Sequence, residues 1–270
     1  MPELPEVETT VRGLTPALHG QRIARVQLRR PDLRRAMPVD LVQRLTGATV
    51  TALGRRAKYG LIDTDRGDTM IFHLGMSGRW RIDPSELLTH DHLVIETEAG
   101  RRLALNDARR FGSVDLMPTA DVGAWPPFAA LGPEPLGPHF TADHLRQVLA
   151  GRVASIKLLL LDQRIVAGLG NIYVCEALHE SRISPKRSGG SVTRPQLQRL
   201  VAAVHGVLES AIEAGGSTLR DYVQPDGELG YFSKQFKVYG REGEPCDCGG
   251  TVARYAEGGR STFWCPKCQK

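Results

Sequence analysis

The chain has 270 residues, 41% of them hydrophobic and 24% charged, a balance that can bury real cores and excludes a chain disordered throughout. Its length suits two compact domains rather than one small module. Lys and Arg outnumber Asp and Glu by 35 to 30, and so modest a surplus does not by itself establish a nucleic-acid partner.

The opening Met-Pro-Glu-Leu-Pro-Glu lacks the charged-then-apolar pattern of a secretory leader. From Pro5 to about Leu18 the apolar spacing predicts a helix, with Val7, Val11 and Leu14 on one face and proline in its first turn. Short strands are expected at Ile23–Leu28, Thr49–Leu53, Gly60–Asp63, Thr69–Leu74, Arg79–Ile82, His92–Glu96, Arg102–Asn106 and Ser113–Met117. Closely spaced short strands separated by turn residues suggest a β-sandwich or a barrel. Between Arg22 and Lys58 stand ten basic residues and two acids. Such clustering suits a polyanion, and equally a set of solvated strand ends and loops.

Proline and glycine concentrate in Trp125-Pro-Pro-Phe128 and in Leu131 to Pro138, which reads as a stiff linker. Helices follow. Thr141 caps one running to about Ala150, and Ser155 caps another through Leu161. A third covers Ile172 to about Glu180, and a long fourth runs from Thr193 or Arg194 to Ala214, with Gly215 as its stop. The longest apolar run, Leu158–Leu161, is a handful of residues, so no membrane span is expected.

Four of the five cysteines fall in the last 25 residues, as Cys246-Asp-Cys248 and Cys265-Pro-Lys-Cys268. Two close thiol pairs across a hairpin-length spacer fit a tetrahedral structural zinc site, whose metal would supply the folding energy of so small a segment. Free or redox-active thiols, and an intermolecular or iron site, are the alternatives. The C-x-C spacing of the first pair demands a tighter turn than the commoner C-x-x-C. Gly258 and Gly259 mark the hairpin turn, and Cys175 reads as a buried core thiol. This cysteine usage points to a reducing cytosol.

Nine segments, in order along the whole chain, resemble bacterial formamidopyrimidine-DNA glycosylase (Fpg, MutM). They are Met1 to Thr10, His73-Leu-Gly-Met-Ser-Gly78, Asn106-Asp-Ala-Arg-Arg-Phe-Gly112, Leu131 to Leu136, Asp162 to Tyr173, Gly215 to Tyr222, Gly230-Tyr-Phe232, Val238 to Arg241 and the terminal Cys-Pro-x-Cys-Gln. The sister family of endonuclease VIII type usually has glycine where Leu4 stands, which favours the Fpg branch.

The resemblance implies an α+β fold. A β-sandwich catalytic domain with an N-terminal helix would cover residues 1–130, and a linker 131–140. A helical domain with a helix–two-turns–helix motif would cover 141–234, including a lesion loop at 215–230, and a zinc-binding β-hairpin 235–270. It also implies a bifunctional glycosylase and AP lyase that removes 8-oxoguanine and formamidopyrimidines from duplex DNA. Pro2, freed by loss of Met1, would attack the sugar C1′, with Glu3 as the acid–base residue and Glu6 as a supporting carboxylate. Lys58 and Arg260 would hold phosphates beside the lesion and assist catalysis. Met76, Arg109 and Phe111 would fill the void left by the extruded base, and His73, Arg110, Lys157 and Asn171 would contact DNA. Arg220 and Tyr222 would lie in the loop closing over the base. Cys246, Cys248, Cys265 and Cys268 would bind one Zn2+. A cytoplasmic, nucleoid-associated monomer is expected. An oxidised-pyrimidine glycosylase, or a zinc-hairpin lesion-binding protein without chemistry, are the competing readings.

Overall fold

The computed structural model describes residues 2–218 and 223–270. The chain divides into two compact units, Met1–Ala129 with Ala214–Ser233, and Ala130–Glu213 with Lys234–Lys270. The segment 214–233, which sequence order groups with the helical domain, therefore belongs to the first unit. The proline-rich stretch 131–138 is part of the second unit, pinned there by Gly132 N–H to Gln163 O at 2.8 Å and Ala167 N–H to Pro133 O at 3.0 Å.

In the first unit, α1 (Leu4–Leu18) is followed by β1 (Ile23–Leu28), a short α2 (Leu41–Leu45), β2 (Val50–Arg56), β3 (Tyr59–Thr64), β4 (Asp68–His73), β5 (Arg79–Ile82), β6 (Asp91–Thr97), β7 (Arg102–Asn106), β8 (Ser113–Pro118) and the single turn α3 (Pro126–Ala129). The strands make two antiparallel four-stranded sheets, ordered β1-β6-β7-β5 and β2-β3-β4-β8. One core joins them. Val26, Leu93, Leu103 and Leu105 of the first sheet and Ile62, Met70, Phe72 and Val114 of the second share a buried cluster with Val7, Val11, Leu14 and Leu18 of α1. The arrangement is a sandwich, and alternating burial along β3 shows the period-two pattern that produces it. The helix face expected from Val7, Val11 and Leu14 is the buried one.

The second unit holds α4 (Ala142–Leu149), α5 (Ile156–Leu161), α6 (Asn171–Glu180), α7 (Arg194–Glu213) and the hairpin β9 (Ala253–Glu257) and β10 (Arg260–Trp264). Both expected caps are in place. Thr141 accepts from His144 N–H, and Ser155 accepts from Leu158 N–H. Gly258 and Gly259, with φ of +56° and +72°, make the two-residue turn between Glu257 and Arg260, a conformation that favours glycine at both places. Cys175 is buried in the core, as expected.

Glu176 of α6 ties the terminal segment down. Its carboxylate accepts the amide hydrogens of Lys237 (2.8 Å), Val238 (3.0 Å) and Tyr239 (2.8 Å). Burial pushes this carboxyl above the ordinary range, against the opposing pull of those three amides. Removing it would leave the buried Val238 donor, and the part-buried donors of Lys237 and Tyr239, with no acceptor. Glu176→Ala is expected to cost about 3 kcal/mol in urea unfolding. Glu180→Ala, one turn on at an exposed position, should cost no more than ~0.5 kcal/mol.

Candidate functional site

The first turn of α1 gathers three of the expected residues. Pro2 is buried, and it immediately precedes the N-cap Glu3, which is 2% exposed, while Glu6 is 1% exposed. The Glu6 carboxylate takes the amide hydrogen of Glu3 on Oε2 and that of Ser217 on Oε1, both at 2.8 Å. The first bond is one half of a capping box, which satisfies a helix-start donor. The second fastens the 214–233 segment to the helix start. Pro225 O accepts from Ile82 N–H at 3.0 Å, a second tie to the sandwich, and Ser217 bridges Tyr231 within the segment itself. Nothing in the sequence pairs Ser217 with Glu6, because the partners are 211 positions apart. Arg220 and Tyr222 lie outside the described residues.

Lys58 occupies the two-residue turn between β2 and β3, after Ala57 with φ of +52°. Its neighbour Tyr59 pairs across the sheet with His73 at the end of β4, their rings 4.8 Å apart. Trp125 and Phe128, expected in a linker, pack on Tyr59 instead, with ring centroids at 5.5 and 5.3 Å. His73 Nδ1 accepts the Gly75 amide hydrogen at 3.0 Å. The ring therefore carries its own hydrogen on Nε2 and offers that as a donor. Burial, and then the positive charges of Lys58, Arg34 and Arg35, lower the His73 pKa to about 4. The imidazole stays neutral at neutral pH.

Met76 and Phe111 are among the exposed large apolar side chains, at 36% and 44%. They stand on two adjacent loops, 74–78 and 107–112. Gly75 sits so close to the second loop that a Cβ there would lie 2.3 Å from the Phe111 carbonyl carbon. Asp107, fully buried, locks the two together. It accepts from Ser77 Oγ–H at 2.7 Å and from Gly112 N–H at 2.8 Å. Arg109 lies over the Phe111 ring, its Cζ 4.9 Å from the centroid, and its amide donates to Ser77 Oγ at 3.2 Å. Arg110 adopts φ of +56° and is exposed. Asp107 belongs to a motif read from sequence, yet its positioning role follows only from these contacts.

In the second unit, Asn171 opens α6 and its Nδ2 donates to Ser261 O at 2.8 Å, joining the helix start to the hairpin that carries exposed Arg260. Lys157, expected to contact DNA, stands in the first turn of α5. It is 0% exposed, and burial lowers its pKa.

The four cysteines meet as expected. Their ligand atoms lie within 4.8 Å of one another, with Cys248 and Cys265 sulfurs 3.4 Å apart and those of Cys246 and Cys268 4.0 Å apart. Four sulfurs at zinc bonding distance on a tetrahedron are separated by ~3.8 Å, so the set fits that ion. The tight C-x-C turn closes through Cys246 N–H to Gly250 O and Gly249 N–H to Cys246 O, both at 2.8 Å. The fully thiolate set leaves no open coordination position, so a zinc here would supply folding energy rather than Lewis-acid chemistry.

Three family models match the chain: the formamidopyrimidine-DNA glycosylase N-terminal domain over residues 1–114, its H2TH domain over 131–223, and the zinc finger found in FPG and IleRS over 243–270. Formamidopyrimidine-DNA glycosylases of Rhizorhabdus wittichii and Novosphingobium aromaticivorans are each 68% identical, over all of this chain and all of theirs. A Lactococcus lactis Fpg bound to DNA containing an abasic site has a TM-score of 0.91 at 33% identity, with both chains fully covered. The Thermus thermophilus MutM structure has a TM-score of 0.89 at 40% identity, covering 99% of this chain and 98% of that one.

The His73 environment makes a pH prediction. Between its ordinary pKa near ~6.5 and about 4, the unfolded chain binds a proton at this ring and the folded chain does not. Stability contributed here is complete above the ordinary value and is lost as pH falls toward the folded one. NMR titration of the His73 ring should give a midpoint near 4, and a midpoint above 6 would contradict the site as described.

Proposed function

The chain belongs to the formamidopyrimidine-DNA glycosylase family, and from that premise we propose that it removes oxidised purines from duplex DNA and then cuts the strand as an AP lyase. The observation that carries this reading is the burial of Pro2 directly before the carboxylates Glu3 and Glu6 at the start of α1. Once Met1 has been removed, Pro2 bears a secondary amine. An α-amino group titrates near ~8, so a useful fraction is neutral and nucleophilic at physiological pH.

In the proposed sequence the Pro2 nitrogen bonds to C1′, and the bond from C1′ to the base breaks. The departing base takes the proton lost from the proline nitrogen, and Glu3 delivers a proton to the deoxyribose ring oxygen as the ring opens, leaving an iminium ion between Pro2 and C1′. That iminium acidifies the adjacent carbon. Loss of its proton expels the 3′ phosphate, and a second elimination expels the 5′ phosphate. Hydrolysis then frees the proline. Lys58, exposed Arg260 and the Nε2–H of His73 are the phosphate donors. Met76, Arg109 and Phe111, held by the Asp107 lock, fill the gap left in the duplex, since unstacking a base costs a few kcal/mol. One zinc ion on the four cysteines holds the hairpin that carries Arg260. The protein acts as a monomer on DNA in the cytoplasm.

Glu3→Gln should lower excision of 8-oxoguanine opposite cytosine by ~10²–10⁴-fold, the usual range for a general acid–base residue. Pro2→Gly should slow both excision and strand cleavage, since it puts a primary amine in place of the secondary amine of the proline ring. Single-turnover cleavage of a labelled duplex measures both. Unchanged excision in Glu3→Gln would remove that residue from the chemistry.

A further inference from the structure

The reading of the four cysteines as a zinc site leaves one neighbour unexplained. His179 stands in the last turn of α6, with Nε2 3.3 Å from the Cys246 sulfur. Its other ring nitrogen, Nδ1, is buried and has no hydrogen-bond partner among the described residues. A neutral imidazole carries a single N–H. On Nδ1 that hydrogen would be a buried donor with no acceptor, and the Nε2 lone pair would face a thiolate. On Nε2 the same hydrogen points at a negatively charged sulfur. The second arrangement replaces a repulsion by a charge-assisted hydrogen bond and leaves only an unpaired acceptor at Nδ1.

The first cysteine pair makes such a donor useful. With one residue between Cys246 and Cys248, the turn supplies the Cys248 amide to the Cys246 sulfur and the Gly250 amide to the Cys248 sulfur. Four thiolates on a divalent ion carry surplus negative charge, and donors outside the coordination sphere spread it and fix the ligands. The ring also stands at a cavity of about 440 Å³ that is lined by Lys237, Asp247, Cys246 and Cys268, so it flanks Cys246 on a side that solvent reaches.

We propose that His179 is a positioning residue of the zinc site, its Nε2–H donating to the Cys246 thiolate and slowing loss of the metal. The proposal rests on zinc occupying the four cysteines, so metal content of the purified wild-type protein is measured first. About one zinc per chain establishes the premise, and its absence would overturn premise and proposal together. With zinc present, His179→Phe fills the space without a donor, whereas His179→Gln keeps an N–H near the position of Nε2. Zinc transfer to excess chelator should be ~10–100-fold faster in the Phe variant, the usual effect of losing an outer-sphere partner, and within about threefold of wild type in the Gln variant. In cobalt-substituted protein the thiolate-to-metal charge-transfer band should move to longer wavelength for Phe and stay in place for Gln. Equal zinc loss in both variants with no band shift would reduce His179 to packing. A third measurement needs no variant. In cadmium-113-substituted wild type, the His179 Nε2 hydrogen should show scalar coupling to the metal through the sulfur, and a ring protonated on Nδ1 without that coupling would overturn the proposal while leaving the zinc reading intact.

Discussion

The buried carboxylate of Glu6 holds the start of the chain in place. Its two oxygens take one amide hydrogen from Glu3, at the start of α1, and one from Ser217, more than two hundred residues on. Chain termini usually fray unless something ties them down. Here the tie is made where the proposed nucleophile sits, and burial strengthens each bond while making a broken one costly. The same contact helps to explain why 214–233 packs with the sandwich although it follows α7 in sequence. Apolar packing beneath α1, through Val7, Val11, Leu14 and Leu18, supplies the rigid base on which that polar clamp stands.

Charge is organised by the same economy. Part of the basic stretch of the first unit is tied up by carboxylates. Arg30 pairs with Asp32, Arg35 with Asp115, Arg44 with Asp68 and Arg55 with Glu8. Arg29 is spent on the carbonyls of Leu88 and Asp91. The clustering that hints at a polyanion in the sequence is thus in good part internal pairing that orders loops. What reaches the site is narrower: Lys58, Arg34 and Arg35 act on His73, and with burial they keep that ring neutral. A neutral donor among cations suits phosphate without adding a further charge to desolvate.

The strands were legible because they are short apolar-rich segments bounded by turn residues; Ile23–Leu28, Arg79–Ile82 and Arg102–Asn106 match to the residue. The helices of the second unit were legible through Thr141 and Ser155, whose side chains make the caps their position predicts. The five residues of α2 and the four of α3 were not, since a single turn shows no period and depends on packing for its existence. Trp125 and Phe128 read as linker because prolines surround them, and only the tertiary contact with Tyr59 reveals an aromatic cluster beneath His73. At the site, motifs singled out Glu3, Lys58, Met76 and the cysteines as candidates, but burial is a property of the fold. Lys157 is enclosed and Asp107 is a lock between loops for that reason. His179, in the last turn of α6, gains its meaning only from a sulfur 67 positions away.

The central claim is that the reactive group is the amine of Pro2, clamped by the first turn of α1. Borohydride reduction of the protein with duplex DNA carrying 8-oxoguanine, followed by proteolysis and peptide mass mapping, tests it most directly. The account predicts a sugar adduct on a peptide that begins at Pro2 with Met1 absent. An adduct on an internal lysine such as Lys58, or full activity from protein that retains Met1, would contradict it.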